Sequence, residues 1–241
     1  MKDNARPLIT AHTGSGQAPA NTWSSFLEAC DARADVAEVD IRVTKKQEPI
    51  LMHDHSPLLE QYGVDELNQL PLRAQLGDIY VEHELVKLEE LLQEAIRRQI
   101  KLNLDIKNGE AVNPTLKLVK AARAEHLIYV TGCTEGIEVE ASGMALLLNA
   151  PMSMIIKDGT RHDQIDGFCQ QAQQEGYAGV NLHEAMVTPA FVDIAHAHNL
   201  FVSVYTVNEP QRMKELIEMK VDSITTMKPE LLHRMKGGQA R

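Results

Sequence analysis

The chain has 241 residues, 44% of them hydrophobic and 24% charged, with a formal net charge of −10. That balance supplies a substantial core and excludes wholesale disorder. The negative charge argues against a nucleic-acid partner, whose phosphates need a basic surface. Cys30, Cys133 and Cys169 form no CxxC pair and read as reduced thiols of a cytoplasmic protein. Neither a secretory h-region nor a bilayer-spanning apolar run of about 18 residues occurs, so no transmembrane segment is expected.

The first predicted strand is Leu8–His12. It leads into Gly14-Ser15-Gly16, but Pro19 takes the place of the third glycine, so the dinucleotide fingerprint fails. Asn21 or Thr22 is positioned to cap a helix over Trp23–Ala32. The second strand, Ala37–Thr44, alternates: Ala37, Val39, Ile41 and Val43 share one face, and Glu38, Asp40, Arg42 and Thr44 share the other. Residues 54–86 are the least regular part and are expected to ride on the mouth of the fold as a loop excursion. Lys87–Arg98 carries Leu88, Leu91, Leu92, Ala95 and Ile96 at helical spacing. The third strand, Leu102–Lys107, repeats the charged alternation with Asn103, Asp105 and Lys107.

Further strands are expected at Ile128–Val130, Ala145–Leu148 and Gly179–Leu182. Thr188-Pro189 opens a helix over Ala190–His198, and Phe201–Val207 is the seventh strand. Glu209–Lys220 is a helix burying Met213, Leu216 and Ile217, with Asn208 as its expected cap, and Ser223–Thr226 is the eighth strand. Strands alternating with helices predict an α/β chain closed as a (β/α)8 TIM barrel, one domain over residues 1–241.

In such a barrel both strand faces are covered, and a buried charge must be paired or bound to a metal. The strand ends bring His12, Glu38, Asp40, His53, Asp105 and Lys107 to one mouth. Carboxylates hold a hard divalent cation through oxygen, the cation neutralises phosphate charge, and two histidines exchange protons with nucleophile and leaving group. That set suits phosphodiester hydrolysis. The bland alternative pairs Glu38 and Asp40 with Arg42 and Lys107 in an ion network.

The motifs in order resemble the glycerophosphodiester phosphodiesterase family, within the phosphatidylinositol-phospholipase-C-like barrels. Its His-Arg-Gly, Pro-Glu-Asn-Thr and Ser-Phe are similar to His12-Thr13-Gly14, Pro19-Ala20-Asn21-Thr22 and Ser25-Phe26. Its Glu-x-Asp and second His-Asp match Glu38-Val39-Asp40 and His53-Asp54. Its Glu-x-Lys and Trp-Thr-Val-Asn look like Asp105-Ile106-Lys107 and Tyr205-Thr206-Val207-Asn208. Its closing strand and helix look like Val221–Thr226 and Pro229–Leu232.

The resemblance implies a metal-dependent hydrolase that splits glycerophosphodiesters into glycerol 3-phosphate and an alcohol. It makes His12 and His53 the acid–base pair and Glu38, Asp40 and Asp105 the ligands of Mg2+ or Ca2+. Lys107 would contact phosphate, with Thr13, His183 and Tyr205 as further substrate contacts. The expected partner is a small phosphodiester; self-association into a homo-oligomer stays open. Thr13 replaces the phosphate-gripping arginine, Ala20 replaces the glutamate, Asp105 is one methylene shorter than the family's glutamate, and Met227 replaces an acid. These departures motivate a second reading: a non-catalytic or substrate-shifted relative that binds a phosphorylated ligand. A third reading, Lys107 as a Schiff-base lysine, fits less well than phosphate contact.

Overall fold

Eight parallel strands close on themselves in this computed structural model, which describes residues 6–138, 142–154 and 162–237. The strands are β1 (Leu8–Ala11), β2 (Val36–Val43), β4 (Lys101–Ile106), β5 (Ile128–Gly132), β6 (Ala145–Asn149), β7 (Gly179–His183), β8 (Phe201–Tyr205) and β9 (Ser223–Thr226). β1 pairs with β9 on one side and β2 on the other, which completes the TIM barrel. A short strand between the second and fourth, β3 (Pro49–Leu51), runs antiparallel to β2. It was not expected from the sequence, because three residues starting at a proline carry no readable period.

The period-two pattern sorts the side chains. The odd positions of β2 (Ala37, Val39, Ile41 and Val43) join the apolar layer under the helices. That layer takes Leu88, Leu91, Leu92 and Ala95 from the helix Leu88–Arg98. Burying each such leucine contributes about 1.5–3 kcal/mol. Glu89 and Glu90 in the first turn and Arg97 and Arg98 in the last complement the helix dipole. The opposite, inward faces are polar. Thr10 and Ser223 share a hydrogen bond of 2.8 Å, and Asn103, Thr131, Asn181, Ser203 and Thr225 are buried beside them. Below them Tyr129 stacks on Phe201 with ring centroids 5.5 Å apart. A side chain at Gly179 would strike the Phe201 carbonyl, so the close approach of β7 and β8 there depends on glycine.

Residues 57–82 form short helical turns after β3. They enclose a separate apolar cluster of Ile50, Met52, Leu59, Val64, Leu67, Tyr80 and Leu85. The Asn68 side chain ties both ends together, accepting from Leu85 N–H at 2.8 Å and donating to its carbonyl at 3.1 Å. Among the described residues, no helix is long and apolar enough to cross a membrane. The three cysteines are free, and burial pushes the Cys169 thiol up to about 12, which suits packing rather than nucleophilic chemistry.

Candidate active site at the barrel mouth

Sheet register assembles the carboxylates. Asp40 of β2 is the direct partner of Asp105 of β4, and Glu38 lies one inward position below Asp40, beside Asn103. Neighbouring strands are about 4.8 Å apart, so side chains in register on one face must meet. Glu38, Asp40 and Asp105 each offer a carboxylate oxygen, and the three oxygens lie within 4.8 Å of one another. Glu38 is 6% exposed and Asp40 3%. Burial, opposed by His12 and reinforced by Asp40, raises the Glu38 carboxyl to about 7.

Lys107 continues the inward face past the end of β4, where its N–H donates to the Ile41 carbonyl at 3.1 Å. Its ammonium lies 2.6 Å from Asp40 Oδ1 and 2.5 Å from Asp105 Oδ2. Burial pulls its pKa down, but Asp105 and Asp40 outweigh burial and hold it above the usual lysine value. Arg42 takes no part in this network; its Nε donates to the His53 carbonyl at 2.8 Å.

Glu38 and Asp105 border a cavity of about 110 Å³, lined also by His12, Asn103, Thr131, Asn149, Asn181, Tyr205, Thr206 and Thr225. His12 Nδ1 lies 2.8 Å from the Thr13 carbonyl. A carbonyl only accepts, so Nδ1 donates to it, and Nε2 is the ring atom open to exchange a proton. His53 stands on the rim, 65% exposed, with Nδ1 2.8 Å from Asp54 Oδ1. That hydrogen bond, with the charge of His53, holds the Asp54 carboxyl below its usual range. Burial and the nearby Asp105 raise the Tyr205 phenol, which therefore stays neutral.

Of the candidates from the sequence, His12, Glu38, Asp105 and Tyr205 line the cavity, while Asp40, Lys107, His53, Thr13 and His183 lie outside its wall. Thr13 is 6% exposed, and its hydroxyl accepts the Asn21 N–H at 2.6 Å while its own N–H donates to Glu38 Oε2 at 3.0 Å. His183 accepts from Ala185 N–H at 3.2 Å and packs edge-on against Tyr205. Asn208, expected to cap a helix, instead accepts from Met227 N–H at 2.9 Å and ties the loops after β8 and β9 together.

Asn21 is the residue that sequence reasoning undervalued. The helix cap is Thr22, whose hydroxyl accepts from Ser25 N–H, so Asn21 is released for another task. Asn21 sits at φ 60°, a left-handed conformation that asparagine tolerates. From there Nδ2 donates to Asp40 Oδ2 at 2.7 Å and Oδ1 accepts from Asp40 N–H at 3.0 Å. The amide fixes both the rotamer and the strand position of Asp40. Asn21→Gly keeps the left-handed backbone but removes that clamp. It is expected to weaken divalent-cation affinity by about 10–100-fold, as losses of partners behind a ligand do; calorimetric titration with Mn2+ checks this.

Gly132 supports the other aspartate. Its φ is 79°, and a side chain there would meet both the Ile106 carbonyl and Asp105 Oδ1. Close approach of β5 to Asp105 therefore depends on a missing Cβ.

A closed (β/α)8 barrel whose mouth holds three carboxylates, a lysine and a histidine defines a TIM-barrel hydrolase of the phosphodiesterase type. The chain belongs to the glycerophosphoryl diester phosphodiesterase family, whose pattern matches residues 12–231. It is 24% identical to a glycerophosphodiester phosphodiesterase from Bacillus altitudinis, covering 92% of this chain and 95% of the relative. It is 23% identical to one from Caldanaerobacter subterraneus subsp. tengcongensis, over 97% of this chain and 100% of the relative. An Oleispira antarctica phosphodiesterase, solved in complex with the product sn-glycerol-3-phosphate, superposes with a TM-score of 0.78 at 20% identity, covering 97% of this chain and 98% of that one.

Proposed function

We propose that this chain hydrolyses glycerophosphodiesters to glycerol 3-phosphate and an alcohol, with a divalent cation, Mg2+ or Ca2+, held by Glu38, Asp40 and Asp105. The observation that carries this reading is the meeting of the three carboxylates within 4.8 Å, two of them, Glu38 and Asp105, on the wall of a cavity that also holds His12. Oxygen ligands in that number, two of them buried and with Asn21 clamped behind Asp40, are the donor set of a hard cation. Such a cation neutralises phosphate charge and polarises the P–O bond when bound.

The residues divide the remaining work. His12, whose Nδ1 is held by the Thr13 carbonyl, takes a proton from the attacking oxygen through Nε2. His53, backed by Asp54, returns a proton to the departing alkoxide from the rim. Lys107 faces the substrate phosphate with its charge, and Tyr205 and the side chains of Asn103, Asn149 and Asn181 offer neutral hydrogen bonds to hydroxyls. In this reading Thr13 acts on Glu38 and Asn21 rather than on substrate. His183 acts through the Tyr205 ring. Three unpaired thiols suit the reducing cytoplasm.

The test is a panel of glycerophosphodiesters incubated with Mg2+, Ca2+, Mn2+ or EDTA. Cation-dependent release of alcohol, abolished by EDTA, is the expected result. Release unaffected by EDTA, in protein stripped of metal, sinks the cation's part. The buried Thr13 favours a second reading, a relative that binds a phosphorylated ligand without turning it over. Its mark is a rise in Tm with glycerol 3-phosphate and no release from any member of the panel.

A further inference from the structure

Lys107 occupies the ground that a metal would need. Its ammonium bridges Asp40 and Asp105 at 2.6 Å and 2.5 Å, and these are two of the three carboxylates whose oxygens converge. The geometry follows from local sequence. Asp105 and Lys107 project from the same strand face two residues apart, and Asp105 is short, so its carboxylate stays close to β4. The lysine stem then folds back over Asp105 and reaches Asp40, its neighbour in register.

Three carboxylates at one point, two of them almost wholly buried, repel one another strongly unless a cation sits among them. The structure already supplies one. We propose, resting on the cation-holding reading above, that Lys107 is the resident counter-ion of the Asp40–Asp105 pair. A divalent cation binds only by displacing its ammonium into the cavity. An ammonium and a divalent ion on the same two carboxylates would lie only about 3–4 Å apart and repel, so entry of the ion drives the ammonium off.

Metal binding and lysine release are therefore one event. The released ammonium stands at the mouth beside the substrate's phosphate, the part of the site where Thr13 provides no cationic side chain. The protein thus exchanges a singly charged internal ligand for a doubly charged external one, and the exchange delivers a phosphate contact.

The experiment compares metal-stripped wild type with Lys107→Met by calorimetric titration with Mn2+. The variant is expected to bind at least about tenfold more tightly, because it has no ammonium to expel. Amine labelling of wild type, read by peptide mass spectrometry, serves even where the variant folds poorly. Labelling of Lys107 is expected to rise severalfold on saturation with Mn2+, while labelling of surface lysines such as Lys214 stays constant. Equal or weaker binding by the variant, or Lys107 labelling that does not change with metal, overturns the displacement. Binding by the variant alone supports it, since the wild-type lysine then holds the site against the ion. Absence of binding by both proteins overturns the displacement and the cation-holding reading together.

Discussion

His12→Ala is expected to lower turnover by about 100- to 10,000-fold, the range typical of a lost general acid or base. The magnitude follows from position. His12 lines the cavity, and its Nδ1 is held by the Thr13 carbonyl, which leaves Nε2 as the atom open to exchange a proton. The same geometry limits the damage elsewhere. The imidazole is 36% exposed, so its removal deletes little packing and leaves no buried cavity. Its nearest carboxylate contact, Glu38 Oε2 at 3.8 Å, is too long for a hydrogen bond, and Glu38 keeps its Thr13 N–H donor. Tm and Mn2+ affinity should therefore stay close to wild type while kcat collapses. His53→Ala is expected to act in the same direction if His53 has its proposed role of protonating the leaving alkoxide. Undiminished turnover in His12→Ala, measured on the best substrate of the panel, would remove His12 from the mechanism.

Asp40→Asn separates the metal from the fold. Asparagine has the same shape, and its side-chain oxygen can still accept from Asn21 Nδ2. The new amide NH2 then faces the Lys107 ammonium, which turns fully to Asp105, and this loss is offset because the repulsion within the carboxylate cluster falls by one charge. Metal-free stability is therefore expected to change little. The divalent ion, by contrast, loses a charged oxygen ligand. At a cation concentration about 100 times the wild-type Kd, wild type gains about 2.7 kcal/mol from binding, and the variant should gain close to none of it. Paired melting curves with EDTA and with Mn2+ measure the difference. A Tm rise in Asp40→Asn equal to that of wild type would place the ion away from Asp40. The variant should also lose cation-dependent turnover.

Much of the architecture is legible in the chain. Apolar–polar alternation in Ala37–Thr44 and Leu102–Lys107, with amphipathic helices between the strands, is enough to predict a parallel barrel, and the structure has it. The inward direction of Glu38, Asp40, Asp105 and Lys107 is equally local, since it needs only a period of two and one covered face. The hairpin strand Pro49–Leu51 was not legible, because its apolar dipeptide fits a strand, a helix or a loop equally well. Asn21 and Thr22 were not separable as caps, since both types accept from a helix N-terminus. Only the fold shows that Thr22 takes that task and that Asn21 reaches a residue 19 positions away.

The substituted positions divide in the same way. By itself, the sequence shows that Thr13 carries no cationic fork and that Asp105 is short. It does not show that the Thr13 hydroxyl faces the Asn21 amide, away from the cavity. Nor does it show that the short Asp105 leaves Lys107 bridging two strands. Side-chain periodicity is a property of one strand and is written in that strand. Register, rotamer and ion pairing are settled between strands, by hydrogen-bonded neighbours and by the exclusion of water. For this protein the sequence alone determined the barrel and the identity of the residues turned into it. Tertiary structure decided which of them touch, because contacts between distant segments depend on a packing that no local pattern encodes.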